Sequence, residues 1–205
     1  DIFFDESKKY YVNRINILGN SVTREEVIRN KIIVDEGDPF NEILFKKGIN
    51  NIKSLNFFKS VEYVIKPTSD PQKNDIDIIV QEKPTGEISA GAGVGTDGTS
   101  FAFGVKENNW LGRGIGLESN LNLTEEKVSG NIAVTNPNYN YSNNSVFAAL
   151  NVSSTDRTSA GGFKSSKTGF RLGTGFEQYE NIFISPEIST SWEDIEVESS
   201  ASSSI

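Results

Sequence analysis

The sequence predicts an α+β domain followed by the first strands of an antiparallel transmembrane β-barrel. Two observations indicate this fold class. Residues 9–83 contain two helical stretches among alternating strands, whereas residues 84–205 are rich in Gly, Ser and Thr and alternate polar and apolar side chains. The change falls at residues 83–86, where Pro84 has no amide hydrogen to continue strand pairing. We therefore expect a domain boundary there.

The composition restricts the classes of function. The 205 residues include no Cys, His or Met, and the formal net charge is -8. Without Cys and His, thiolate nucleophiles, the usual general base and thiolate zinc sites are excluded. An acidic chain is also poorly suited to nucleic acid, whose phosphates require Lys and Arg. Because the acidic residues are scattered without a convergent pair, we expect no enzyme, no cofactor and no nucleic-acid partner.

Residues 9–83 predict the order strand, helix, helix, strand, strand. The first strand alternates over residues 11–17. Thr23 precedes Glu26 at capping-box spacing and predicts the start of the first helix, and Asn41 is expected to cap the second. Two further alternating strands carry Val61, Tyr63 and Ile65, then Ile76, Ile78 and Val80.

Residues 84–205 predict about seven strands of roughly ten residues, each with one apolar and one polar face. Strands in soluble proteins are usually about 5–6 residues long. A tilted strand needs about 9–11 residues to cross the hydrocarbon of a membrane, and its polar face then lines a wet lumen. A secreted β-sandwich adhesin, whose polar face contacts solvent, is the alternative from a different class.

The connections between these strands alternate in character. Those around Trp110, Tyr139 and Tyr179 are aromatic, whereas those at the opposite ends are polar. Aromatic side chains concentrate at membrane–water interfaces. We therefore expect Trp110 and Tyr139 to anchor the strands at one membrane–water interface.

Two motifs of the first part resemble a POTRA domain. Gly19-Asn20 follows the first strand, and residues 55–61 include a Phe pair that stands before the next strand. The usual pattern has Gly directly before that pair, whereas this chain has Asn56. The resemblance implies that residues 9–83 form the POTRA domain nearest the membrane, and that residues 1–8 end a preceding one.

The second part resembles the start of the barrel in the BamA family of outer-membrane protein assembly factors. The matching motifs are Gly91–Thr96, Asn109–Gly114 and Val134–Pro137. The resemblance implies insertion of other β-barrel proteins into the bacterial outer membrane, with the POTRA domain in the periplasm. Implied partners are unfolded outer-membrane protein clients, accessory lipoproteins of the assembly complex and membrane lipid. TamA-type proteins and two-partner secretion transporters of the same superfamily are the alternatives.

In such a barrel the first strand pairs with the last, and glycine weakens strand pairing by about 0.5–1 kcal/mol relative to Ala. We expect a lateral seam that opens and templates client strands. Its residues are Gly86, Ile88, Ala90, Gly91, Gly93 and Gly95. The alternative is that small residues make room for the contents of the lumen.

The POTRA domain carries a second candidate edge, expected to receive an unfolded client as an added strand. It is the strand with Val61, Tyr63 and Ile65. The alternative is an edge protected by charged side chains. Those charges are Lys59, Glu62 and Lys66.

An acidic turn contains Glu36 and Asp38 and is expected to be exposed. It is a candidate docking point for a basic surface on an accessory lipoprotein. An ordinary solvated turn is the alternative.

Overall fold

The computed structural model describes residues 10–95 and 98–197. The expected end of a preceding POTRA domain, residues 1–8, lies outside these ranges. The chain divides into two compact units, one that ends at Thr85 and includes Leu111–Arg113, and one formed by Gly86–Trp110 and the chain from Gly114 onward. No helix within the described ranges is long and apolar enough to span a membrane.

The first unit has the predicted order of strand, helix, helix, strand and strand. Its elements are β1 (Tyr11–Leu18), α1 (Glu25–Arg29), α2 (Glu42–Ser54), β2 (Phe58–Pro67) and β3 (Lys73–Glu82). Strand β3 is central, parallel to β1 and antiparallel to β2. The sheet therefore has β1 and β2 as its two outer strands.

The core of this unit lies between the sheet and the two helices. Full burial of an aliphatic or aromatic side chain contributes roughly 1.5–3 kcal/mol, so this cluster dominates the stability of the unit. Its most buried members are Val12, Ile28, Phe45, Ile52, Ile76 and Ile78. The predicted cap of α2 is confirmed, since Oδ1 of Asn41 accepts the N–H groups of Ile43 (3.0 Å) and Leu44 (3.1 Å).

The predicted start of α1 is wrong. Thr23 does not cap the helix, which begins at Glu25 with Arg24 in the capping position and no side-chain cap bond. The N–H of Thr23 instead donates to Oε1 of Glu82 over 2.6 Å. Because Glu82, at the end of β3, holds this segment, the helix starts after it.

The second unit is an antiparallel sheet of eight strands, in which the first seven pair in chain order and the eighth pairs with the sixth. The strands are β4 (Gly86–Gly95), β5 (Gly98–Trp110), β6 (Ile115–Thr124), β7 (Lys127–Asn136), β8 (Ser145–Arg157), β9 (Phe163–Tyr179), β10 (Ile182–Ile184) and β11 (Glu187–Val197). A 3-10 turn at Tyr139–Tyr141 precedes β8, and a short helix α3 (Thr158–Gly161) precedes β9. The sheet is not closed within the described residues.

The predicted fold class is confirmed, with one difference in the last strand. The alternation of Ile182, Ile184, Ile188 and Trp192 with polar residues predicts a single strand. In the structure, β10 and β11 are separate and both pair with β9. Pro186 lies at the break and has no N–H for the ladder. Its carbonyl accepts the N–H of Thr174 over 3.1 Å.

The register gives this sheet one apolar and one polar face. Ile132, Leu150 and Phe170 are neighbours on one face of β7, β8 and β9. Asn131 and Asn151 are neighbours on the other face. The apolar residues are exposed, with Ile132 at 52%. A continuous exposed apolar face of this kind indicates contact with a membrane or another protein.

Candidate strand-accepting edges

Strand β4 forms one end of the second sheet. Each of its residues from Gly86 to Gly95 has a partner in β5, without a bulge. On its other side, β4 has no strand neighbour in the part of the chain that the structure describes. All ten residues are exposed. The backbone N–H and C=O groups on an outer strand edge can pair with a further strand.

The surroundings of the β4 glycines differ along the strand. A Cβ atom at Gly91 or Gly95 would meet nothing within 4 Å. At Gly93 it would lie 3.1 Å from Oγ of Ser100. Packing among the described residues therefore does not require glycine at positions 91 and 95.

Strand β2 is an outer strand of the POTRA sheet, but its three predicted residues point toward the core. Val61 is buried, and Tyr63 and Ile65 pack against the buried cluster. Tyr63 lies edge-on to Phe45, with ring centroids 4.9 Å apart. On its free side, β2 therefore presents backbone N–H and C=O groups, which are the groups that bond to an added strand.

Lys66, one of the charged residues expected to protect β2, is bonded to a carboxylate on the neighbouring strand β3. Nζ of Lys66 donates to Oδ2 of Asp77 on β3 over 2.5 Å. Nδ2 of Asn16 on β1 donates to Oδ1 of the same carboxylate over 2.8 Å. These hydrogen bonds from Lys66 and Asn16 hold the pKa of Asp77 below its usual range. Lys59, Glu62 and Lys66 are all exposed charges of β2.

The acidic turn is exposed, yet both carboxylates have partners within the domain. Oε1 of Glu36 accepts the N–H of Ile15 over 2.9 Å and lies 3.5 Å from Nη1 of Arg29. Oδ2 of Asp38 accepts the N–H of Asp35 over 3.0 Å. A basic partner at this turn would therefore compete with Arg29 for Glu36. The contacts of Glu36 with Arg29 and Ile15 were not predicted from the sequence, because they depend on how helix α1 and strand β1 pack beside the turn.

The two predicted anchor residues lie at the same end of the second sheet. Trp110 ends β5 and Tyr139 lies in the connection from β7 to β8. In an antiparallel sheet these connections fall on one side, together with Tyr179 at the end of β9. All three side chains are exposed, Tyr139 at 57%. They form one aromatic rim beside the apolar face.

Comparisons with known proteins agree with this architecture. Residues 10–83 match the POTRA family, described as a surface antigen variable number repeat. The chain is similar to the outer membrane protein assembly factor BamA of Buchnera aphidicola, with 33% identity over 141 residues. That match covers 68% of this chain and 23% of the Buchnera protein. Residues 10–83 are a POTRA domain, and the chain is a BamA relative.

Two solved structures share the fold. BamA from Haemophilus ducreyi lacking POTRA domains 1–3 matches with a TM-score of 0.80 and 22% identity, over 94% of this chain and 37% of that chain. CdiB from Escherichia coli matches with a TM-score of 0.62 and 12% identity, over 96% of this chain and 39% of that chain. The chain thus spans less than half the length of each of these three proteins.

The relationship to BamA confirms the location expected from the sequence. The chain is an outer-membrane protein with its POTRA domain on the periplasmic side. The relative from Buchnera is named as an assembly factor and not as an enzyme.

Proposed function

We propose that this chain forms part of a protein that assembles and inserts β-barrel proteins into the bacterial outer membrane. In this proposal residues 9–83 are the POTRA domain nearest the membrane, and residues 84–205 begin the barrel. The observation that carries it is the similarity to the outer membrane protein assembly factor BamA of Buchnera aphidicola, 33% identical over 141 residues. In this proposal the working edge is the outer side of β4. An unfolded client strand would add to this edge.

The energetic basis of the proposal is hydrogen bonding in an apolar surrounding. In lipid, every backbone N–H and C=O must be paired, since an unpaired group costs several kcal/mol. A client strand that pairs with β4 satisfies its own backbone before it enters the hydrocarbon. The glycines of β4 keep any existing partner weakly held, so exchange proceeds without ATP or a cofactor.

The two faces of the sheet suit this task. Outer-membrane lipid would contact the apolar face that includes Ile132 and Leu150. Trp110 and Tyr139 would fix the depth of the sheet at the lipid interface, where amphipathic rings are favoured.

The POTRA domain would hold clients before insertion. The free backbone of β2 would pair with an extended client segment. The turn with Glu36 and Asp38 would dock a basic surface of an accessory lipoprotein in competition with Arg29.

A disulfide-trapping experiment tests the role of β4. The 205 residues contain no cysteine, so each introduced thiol is the single one within them. Ser89→Cys places a thiol on β4, and Asn131→Cys places a matched thiol on the polar face of interior strand β7. Because a disulfide requires Cα atoms within about 7 Å, only a paired client strand should be trapped.

With an outer-membrane client that carries single cysteines at successive strand positions, we expect trapping by Ser89→Cys at one register and none by Asn131→Cys. Equal trapping at both positions, or none at Ser89→Cys, would contradict the proposal.

A transporter of the same superfamily, of the TamA or two-partner secretion type, is the second candidate. The structural match to CdiB favours it, although the TM-score is lower than for BamA, 0.62 against 0.80. The location of the trapped chain distinguishes the two. A client remains embedded in the membrane, whereas a secreted passenger becomes accessible to protease outside the cell. A secreted adhesin would instead be monomeric in buffer without detergent.

A further inference from the structure

The outer edge of β1 is covered by the chain itself. Val12 exchanges two backbone hydrogen bonds with a following loop: its N–H donates to Asp38 (2.9 Å) and its carbonyl accepts from Gly37 (2.7 Å). The N–H of Phe40 donates to the carbonyl of Tyr10 over 2.9 Å. This loop therefore pairs with β1 much as another strand would.

We refer to residues 36–40 as the covering loop. Beyond the β1 residues that pair with this loop, two side chains form hydrogen bonds with the β1 backbone. The N–H of Ile15 donates to Oε1 of Glu36, and the carbonyl of Ile15 accepts from Nη2 of Arg29, each over 2.9 Å. Nη2 of Arg29 also lies 2.7 Å from Oε1 of Glu25. The backbone N–H of Ile15 is thus bonded to a carboxylate, and its carbonyl is bonded to a guanidinium.

The cleft beside the rest of β1 is charged. It has a volume of about 490 Å³, and its lining includes Arg14, Glu25, Arg29 and Glu36. Charged side chains placed along an edge disfavour pairing with an apolar strand. By contrast, within residues 10–95 and 98–197 no loop hydrogen bonds reach the free side of β2.

We propose that Arg29 and Glu36 determine which edge of the POTRA sheet accepts a client strand. By occupying the hydrogen-bonding groups of Ile15 they close β1, and strand addition is confined to β2. The proposal rests on the client-binding role given to the POTRA domain above. Its ligand is an extended, unfolded segment of an outer-membrane protein, recognised through its backbone.

Closure of β1 is measured by amide hydrogen exchange of the full chain in detergent. In Glu36→Ala, the exchange of Ile15 should be faster by about tenfold, the effect of losing one charge-assisted hydrogen bond. Glu36→Gln keeps an acceptor oxygen and should restore most of the protection. Glu42→Ala removes an exposed carboxylate paired with Lys46 on the other helix and serves as the matched control. Unchanged exchange of Ile15 in Glu36→Ala overturns the proposal.

Edge choice is measured by photo-cross-linking to an unfolded outer-membrane protein. The photoreactive residue replaces Leu18 on β1 or Val64 on β2, which are equally exposed at 46%. The otherwise unsubstituted chain should cross-link only from position 64. The double variant Arg29→Ala, Glu36→Ala should cross-link from both positions.

Cross-linking from position 18 without the double substitution, or none there with it, overturns the proposal. If position 64 fails to cross-link in every variant, the client-binding role of the POTRA domain is rejected. Exchange at Ile15 then still reports whether β1 is closed, so the two failures are distinguishable.

Discussion

Two glycines of the POTRA domain have left-handed backbone angles but different surroundings. Gly19 has φ of 89° and Gly37 has φ of 94°. A Cβ atom at Gly19 would lie 2.1 Å from the carbonyl oxygen of Val80, whereas at Gly37 it would meet nothing within 4 Å. Gly19 is thus required by close backbone approach, and Gly37 by its backbone angle alone.

Alanine substitutions separate these two requirements. Gly37→Ala should lower the free energy of unfolding by about 1–2 kcal/mol, the strain of a left-handed residue with a side chain. Gly19→Ala should lower it further, because the backbone of β3 at Val80 must also move. Urea denaturation of both variants measures the difference, and equal losses would contradict the role of Val80.

Asn56 explains the departure from the usual POTRA motif. Asn56 has a left-handed backbone angle, with φ of 60°. Glycine adopts this angle most readily, so the backbone geometry accounts for the glycine that is usual at this position. Asn is among the residues that tolerate this region best. Its Oδ1 also accepts from Nζ of Lys83 over 2.6 Å, a contact that glycine does not make.

The carboxylate of Asp77 makes stability depend on pH. Its pKa is lowered in the folded state by hydrogen bonds from Lys66 and Asn16. The stabilisation is therefore present above the ordinary Asp pKa of about 3.9 and is lost as pH falls through the lower folded value. Asp77→Asn should unfold at lower urea than the unsubstituted chain at pH 7, and the two midpoints should converge in acid.

Asp75→Asn is the matched control for this effect, because Asp75 lies two residues away on β3 and its carboxylate accepts only from exposed Asn13 among the bonds described. A pH dependence that is the same in Asp77→Asn and in the unsubstituted chain would contradict the assignment to Asp77.

Among the elements, the two POTRA helices begin in different ways. Helix α2 starts with two bonds to the side chain of Asn41, whereas Arg24 at the start of α1 makes no such bond. Asn41→Ala should therefore lower the free energy of unfolding by about 1 kcal/mol, a typical value for loss of an N-cap. Arg24→Ala should change it far less. Similar losses in thermal or urea denaturation would show that the Asn41 cap is not the cause.

The elements also show what local sequence can predict. The strands follow from alternation, and the start of α2 follows from Asn41, because both signals act within a few residues. Thr23 was predicted wrongly because Glu82, distant in sequence, takes its N–H. The partners of Glu36 were missed for the same reason. The break at Pro186 had a local signal, since proline cannot donate to a strand ladder.

The features of the candidate sites also differ in whether local sequence predicts them. The sequence alone shows the glycine content of β4 and predicts that it is the first strand of the sheet. In the structure, β4 lies at one end of the sheet. The cover on β1 was not predictable, because it depends on a tertiary contact between Arg29, Glu36 and the backbone of Ile15.

For the whole molecule, the exposed apolar face gives the sharpest test of membrane contact. Ile132 lies on that face and Asn131 on the opposite one. Ile132→Lys should destabilise the sheet in lipid by about 2–4 kcal/mol, the range for a cation on the lipid face near the bilayer centre. Asn131→Lys, one residue away, should be tolerated because it faces the polar side.

Folding yield into lipid vesicles measures this difference for the protein that contains the chain. Equal yields for the two lysine variants would contradict contact between the apolar face and lipid.

The covered edge of β1 has a consequence for self-association. Polymers of β-sheets grow only if each copy offers two free edges, one for the copy before and one for the copy after. A POTRA sheet with β2 alone open can pair with one strand, or with β2 of one other copy, and growth ends there. In a crowded periplasm filled with unfolded chains, the ion pair of Arg29 and Glu36 would thus keep a strand-binding domain from seeding fibrils.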